Sequence, residues 1–275
     1  MIGNPITEPR TAKKGKVMDQ AQVTQILKDV AAQYTPPEQA ERRGKRVNRI
    51  AHKFGMMFDA CNEKDVSKIE LMDIGGGAAL FSSGAAGLGM KRVVLVDDYD
   101  DPEVHSVGDD LLALHKKLGV DIHSRDAVRE GIMDIEGQFD VITSFDSMEH
   151  WHNSPKKLFS QVMQKLKPGG MLLLNAPNCV SLRKRITVPL GRGQWSDMAD
   201  WYEQETFRGH VREPDVATLK YIAKDIGLKD YKIKGRNFII YNRLGLTSAL
   251  LPKIDPLNMF PSLCADLFLI GYKEG

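Results

Sequence analysis

The sequence predicts an α/β protein: a Rossmann-like, seven-stranded, mostly parallel sheet with helices on both faces, an N-terminal helical extension and a substrate-side insertion. Two observations lead there. From residue 69 onward, short β-rich runs alternate with helical ones, the pattern of right-handed βαβ units. The first such run enters Gly75-Gly76-Gly77 and the second ends in Asp97-Asp98, so a tight turn and an acidic tip share the carboxyl edge of the sheet.

The overall numbers fit one domain of that kind. A chain of 275 residues holds one α/β domain with insertions. Hydrophobic residues at 42% and charged residues at 27% match a folded domain and exclude a disordered tail. A net charge of +2 is too small to argue for nucleic acid by itself. No apolar run is long enough to span a bilayer, and the charges of MIGNPITEPRTAKKGK precede no signal-peptide core. Cys61, Cys179 and Cys264 are too scattered for a disulfide framework or a zinc site, and no other ligand cluster stands out. The expectation is a cytoplasmic protein without a metal.

In order along the chain, residues 1–16 are polar and basic and read as a flexible segment. Residues 17–62 form the helical extension or lid. Its first helix covers 17–34, with Val23, Ile26, Leu27 and Val30 at helical spacing, and its second opens at Pro36-Pro37. The Arg- and Lys-rich residues 42–53 read as a solvated face, with covering of the active site or nucleic-acid binding as the alternatives. Residues 63–275 form the main domain, with strands expected at 69–74, 92–96, 120–123, 139–145 and 171–176. Helices are expected between them at 78–88, 104–118 and 154–166. Asn153 or Ser154 can cap the last of these, Pro155 suits its first turn, and Lys167-Pro168-Gly169-Gly170 stops it. A helix over 215–226 ends at Gly227. Strands at 231–238 and 265–272 then add an antiparallel pair at the edge. The insertion is 178–213, and the proline-interrupted apolar stretch 244–263 reads as core packing.

The chemistry starts at Asp73-Ile74-Gly75-Gly76-Gly77. Glycines at a strand end let the backbone turn sharply and approach a ligand. Alone they are a weak signal with a plain tight turn as the alternative, and Leu80 stands where a dinucleotide fingerprint needs its third glycine. Asp97 strengthens the binding reading, because a carboxylate at the next strand's tip can accept both hydroxyls of a ribose. Its neighbours Asp98, Asp100 and Asp101 read as a solvated turn.

Further on come Arg125-Asp126-Ala127, Phe139-Asp140-Val141-Ile142, Glu149-His150 and Leu166-Lys167-Pro168-Gly169-Gly170. In this order and spacing the chain resembles the class I S-adenosylmethionine-dependent methyltransferases, particularly the small-molecule, glycan and quinone-type branch. The resemblance spans residues 69–238 with a final strand near 265–272, and it implies S-adenosylmethionine as cofactor. It sets Gly75 and Gly77 under the methionine and ribose parts, with Asp73 at the amino end and Asp97 on the ribose hydroxyls. Asp126 meets the adenine amino group, Ala127 lies beside it, and Ser144 and Phe145 offer backbone contacts near the methionine amine. Asp126 as a turn cap and Phe145 as core stay open beside those roles. The acidic run DDYDDPE departs from the family pattern.

Methyl transfer is an in-line displacement, so the protein aligns the nucleophile and excludes water. A hydroxyl acceptor also needs its proton removed. His150 and His152 follow the fourth strand and are candidate bases at the pocket mouth; packing or cofactor contact is the other reading. His210 is a third candidate. It lies in Gly209-His210-Val211-Arg212, which resembles an element of glycan-tailoring relatives. Trp201, Tyr202 and Arg212 are candidate acceptor residues for a sugar-like or acidic group, against the alternative of surface arginines and core-plugging tryptophans. The leading reading is methylation of a small-molecule or glycan hydroxyl. Alternatives are a quinone-type or nitrogen acceptor, an NAD-dependent oxidoreductase, and a non-catalytic module of the same fold. Nucleic acid is disfavoured, since neither Asn-Pro-Pro-Tyr, Asp-Pro-Pro-Tyr nor a Pro-Cys pair occurs.

Overall fold

The computed structural model describes residues 20–32, 47–77, 80–100, 109–193, 196, 198–237 and 255–275. The expected segment 1–16, the helix start at Pro36-Pro37, Trp195 and the first part of the apolar stretch 244–263 lie outside the described residues.

Two helices, α1 (Gln20–Ala31) and α2 (Val47–Ala60), precede the sheet. Then follow β1 (Glu70–Ile74), α3 (Leu80–Gly87), β2 (Arg92–Asp97), α4 (Asp109–Lys117) and β3 (Val120–Ser124). Next come β4 (Phe139–Phe145), α5 (Lys156–Lys165) and β5 (Leu166–Pro177). Two short helices, α6 (Leu182–Thr187) and α7 (Met198–Tyr202), occupy the insertion. The chain closes with α8 (Val216–Asp225), β6 (Lys229–Arg236) and β7 (Asp266–Tyr272). The sheet order is β3-β2-β1-β4-β5-β7-β6. β1 to β5 are mutually parallel, while β7 is inserted antiparallel between β5 and the edge strand β6.

Alternation along the strands divides the core into two layers. Leu71, Leu95, Val141 and Leu173 face one side, against Val23 and Leu27 of α1, Phe54 and Met57 of α2, and Phe81 of α3. Met72, Val94, Ile142 and Leu172 face the other, against Leu158, Phe159 and Val162 of α5 and Leu219 of α8. The N-terminal helices are thus part of the packed layer. Gly84 admits Leu27 to it, since a Cβ at Gly84 would overlap the leucine methyl. Burying one such leucine stabilises the fold by roughly 2 kcal/mol.

Two local expectations need correction. Pro155 occupies the cap position of α5 without a side-chain cap bond, and the nearest substitute is Ser154 Oγ, 3.5 Å from the Lys156 N–H. The helix stops at Lys165, one residue before Leu166 turns extended, and Lys167-Pro168-Gly169-Gly170 joins β5. Gly169 takes φ +71°, which bends the strand, and Gly170 exchanges backbone contact with Lys273 (2.9 Å) past the end of β7. The glycines therefore extend the sheet. At α8 the expected stop is in place, Gly227 with φ +74°, and Asp215 caps the helix by accepting from the Thr218 N–H at 2.7 Å.

Candidate functional site

The strand order reverses between β1 and β4, and ligands of open α/β sheets sit outside the strand ends at such a switch point. A cavity of about 320 Å³ lies there, and its lining falls into two sets. One contains Gly75, Gly77, Asp97, Asp126 and Ala127; the other contains Asp146, Ser147, His150, Trp151, His152 and Arg208.

The first set is shaped by backbone. Gly75 and Gly77 have φ of +71° and +56°, conformations in which a side chain is strained. The Gly75 N–H donates to Val96 O at 2.8 Å, and a Cβ on Gly75 would overlap Ser147 Oγ. The Asp97 carboxylate accepts from the N–H groups of Gly77 and Asp98. Burial outweighs these bonds and pushes the Asp97 carboxyl up to about 6. The Tyr99 hydroxyl donates to Gly77 O at 2.9 Å and braces the turn, a contact the sequence reading did not include. Asp126 lines the cavity, and its Oδ1 accepts from the N–H groups of Val128 (2.9 Å) and Arg129 (3.2 Å), the turn cap considered for it.

Three expected cofactor residues lie behind the wall. Asp73 sits on a buried face of β1 and accepts from Thr143 Oγ1 at 2.7 Å and Ser82 Oγ at 2.8 Å, tying β1 to β4 and α3. Burial raises its pKa. Ser144 is buried, and its hydroxyl has no hydrogen-bond partner among the described residues. Phe145 is core, edge-on to Phe81 at 4.8 Å and 4.4 Å from Lys53 Nζ.

The second set begins at Asp146, a non-glycine residue with φ +50°. Such a conformation persists only when its surroundings hold it. Here Arg49 Nη2 and Lys53 Nζ, one turn apart on α2, grip its carboxylate at 2.6 and 2.8 Å. Burial alone would raise the Asp146 pKa, but the two cations hold it below the ordinary value. Lys53 is buried, so at these two positions the helix face expected to be solvated is a clamp on the cavity wall. The four-residue spacing of Arg49 and Lys53 was the available signal; their partner, far along the chain, was not.

The turn after β4 then meets the insertion. Glu149 is buried, its Oε2 has no hydrogen-bond partner among the described residues, and burial with nearby Asp146 pushes its carboxyl up to about 7. Its carbonyl accepts from the N–H groups of Val211 (2.7 Å) and Arg212 (3.2 Å). That docking brings His210 to His150, with ring centroids 4.8 Å apart and planes at 88°. His150 Nδ1 lies 2.8 Å from Arg208 O, and His210 Nδ1 lies 2.7 Å from Glu213 Oε1. The Glu213 hydrogen bond raises the His210 pKa. A ring nitrogen from each histidine and a Glu149 oxygen fall within 4.8 Å of one another, a potential metal-ligand set absent from the sequence reading. Of the three candidate bases, His150 and His152 line the cavity, while His210 adjoins it through His150.

The expected acceptor residues are not brought to this cavity. Trp201 and Tyr202 on α7 are 61% and 73% exposed and outside the lining. Arg212 is also exposed and outside it, and engages Glu149 through its backbone. Arg208 is the arginine in the wall.

The methyltransferase-domain family matches residues 40–233. No curated protein matches the chain in sequence. Among solved structures, an S-adenosylmethionine-dependent methyltransferase from Archaeoglobus fulgidus is similar at 18% identity and TM-score 0.52, over 82% of this chain and 93% of that one. Magnesium protoporphyrin IX methyltransferase from Synechocystis, solved with S-adenosylhomocysteine, is similar at 12% identity and TM-score 0.52, over 91% and 94%. An O-methyltransferase family protein from Burkholderia thailandensis gives 15% identity and TM-score 0.48 over 85% of this chain, which spans 60% of that longer one. These likenesses are of fold. No helix among the described residues is long and apolar enough to cross a membrane.

Proposed function

The chain belongs to the methyltransferase-domain family and is a class I S-adenosylmethionine-dependent methyltransferase, and on that premise we propose that it methylates a hydroxyl of a small-molecule or glycan acceptor. The observation that carries this reading is one cavity wall that combines the glycine turn and Asp97 with two histidines, His150 and His152. The bound cofactor supplies a methyl group on a sulfonium carbon.

The residues present fit that cofactor. Gly75 and Gly77 expose backbone where a Cβ is disfavoured, and Asp97 offers a carboxylate at a strand tip for ribose hydroxyls. Asp126 and Ala127 border the adenine end. Asp73, Ser144 and Phe145 support the wall from behind, and the backbone of the last two remains the proposed contact for the methionine amine. At the other end His152 or His150 takes the acceptor hydroxyl's proton, so that the oxygen reaches the methyl carbon as a better nucleophile. Arg208 is the wall's match for an acidic acceptor, which favours a sugar acid or phosphate-bearing molecule over a neutral one.

Isothermal titration with S-adenosylmethionine, S-adenosylhomocysteine and NAD tests the cofactor half. Binding of the first two in the micromolar range, with none for NAD, is expected. Methyl-labelled cofactor incubated with hydroxylated acids, sugars and amines tests the other half. Label recovered only in N-methyl products would overturn the hydroxyl reading.

A further inference from the structure

We propose that Glu149, His150 and His210 bind one divalent transition-metal ion beside the acceptor end of the cavity. Their candidate ligand atoms lie within 4.8 Å of one another. Adjacent ligands of an ion with bonds of about 2.1 Å stand roughly 3 Å apart, so binding requires a closing movement of rotamer size.

The hydrogen bonding around the three residues suits ligands. His150 Nδ1 faces the Arg208 carbonyl and His210 Nδ1 faces the Glu213 carboxylate. Both partners only accept, so each Nδ1 carries the hydrogen and Nε2 is the ring nitrogen that can turn its lone pair to an ion. Metal-binding histidines are oriented by this same outer contact to a carbonyl or carboxylate. Lys184 in turn pairs with Glu213 and holds it in place. Glu149 supplies the anionic ligand: its side chain is buried, and its Oε2 lacks a hydrogen-bond partner among the described residues. A buried carboxylate oxygen left in that state is unfavourable, and a cation answers it. Asp146, a second acid near Glu149, is engaged by Arg49 and Lys53.

Two imidazoles and one carboxylate favour first-row ions from manganese to zinc and leave coordination positions open. His150 also lines the cavity with His152 and Arg208, which puts the ion where the acceptor is expected. The role that follows rests on the hydroxyl reading above. An acceptor hydroxyl bound to the ion has a lowered pKa. Its proton passes to His152 or water, and its oxygen bonds to the methyl carbon as the carbon–sulfur bond breaks with its electron pair on sulfur. His150 then acts as ligand, and His152 is the remaining base.

Metal-free full-length protein titrated with MnCl₂, read by loss of the free-ion electron paramagnetic resonance signal, tests the site without needing turnover. One ion per chain is expected. His210→Ala, at an exposed residue, and the isosteric Glu149→Gln should each weaken it at least about tenfold while circular dichroism shows native folding. Absence of binding of Mn²⁺ or Zn²⁺ at millimolar concentration, or binding that His210→Ala leaves unchanged, would overturn the site. Hydroxyl methylation that persists with chelator present would also remove the ion from the reaction and leave the methyltransferase reading intact. Metal binding without any hydroxyl methylation would support the site and overturn that reading instead.

Discussion

The two ends of the cavity are built by different means. At the glycine end, Gly75, Gly77 and Asp97 close on one another across two adjacent parallel strands, largely through backbone groups. At the histidine end, side chains from α2, the turn after β4 and the insertion converge from distant parts of the chain. Backbone geometry tolerates almost no substitution, whereas a side-chain assembly can be altered piece by piece. The first suits a constant cofactor and the second a variable acceptor.

Gly75→Val should break the contrast most severely. It forces φ +71° on a β-branched residue and overlaps Ser147, which lies in the opposite set. We expect destabilisation of about 3 kcal/mol and cofactor affinity lowered on the order of 100-fold, measured by urea unfolding and titration calorimetry. Unchanged affinity would remove the turn from the site. Asp97→Ala comes next, with cofactor Kd raised roughly 10- to 100-fold through lost charged hydrogen bonds. Its pH dependence has a definite sign. With the folded pKa raised from 3.8 to about 6, the contribution of Asp97 to the ligand-free fold is fully present below about 4 and lost as pH rises through 6. Ribose hydroxyls need the carboxylate as acceptor, so cofactor affinity should rise across the same window in wild type. Calorimetry at pH 5 and 7.5 should find that rise absent in Asp97→Asn.

Smaller effects separate the ends. Lys53→Met removes one of two cations from Asp146 and should destabilise the protein by about 1–2 kcal/mol in urea unfolding. Its kinetic effect should fall on acceptor KM, with cofactor Kd within about twofold; the reverse split would place Asp146 on the cofactor side. Arg208→Ala should raise the KM of an acidic acceptor several-fold, while Arg212→Ala changes it less than about twofold. Equal effects would mean that the insertion closes further over the cavity than its present position.

The same contrast explains what could be read from the residues alone. Strand-to-glycine transitions, an acid at a strand tip and apolar stripes at period 3.6 are local patterns, and all seven strands were recoverable from them. The exceptions were also local. Lys167–Gly170 carries breaker residues, yet Gly169 at φ +71° serves a bent strand as well as a stop. Asp73 sat in the right motif, but its carboxylate is turned inward onto Thr143 and Ser82, while the Phe145 side chain takes the core position left open for it. At the histidine end the residues His150, His152 and His210 were legible one by one, but their assembly was not. His150 and His210 meet only because Glu149 captures the insertion, and Arg49 and Lys53 find Asp146 only once α2 lies across the sheet. Trp201 and Tyr202 were read as acceptor residues from their place in the insertion, and the fold leaves them exposed and outside the lining of this cavity.

The hold of Glu149 O on the amides of Val211 and Arg212 uses no side chain of either residue. Any non-proline amino acid at these two positions can therefore keep the insertion seated. A lineage could exchange its surface groups one at a time, trying one acceptor after another, while the frame beneath stays in register. Proline at position 211 or 212 would remove one of these amides and loosen it.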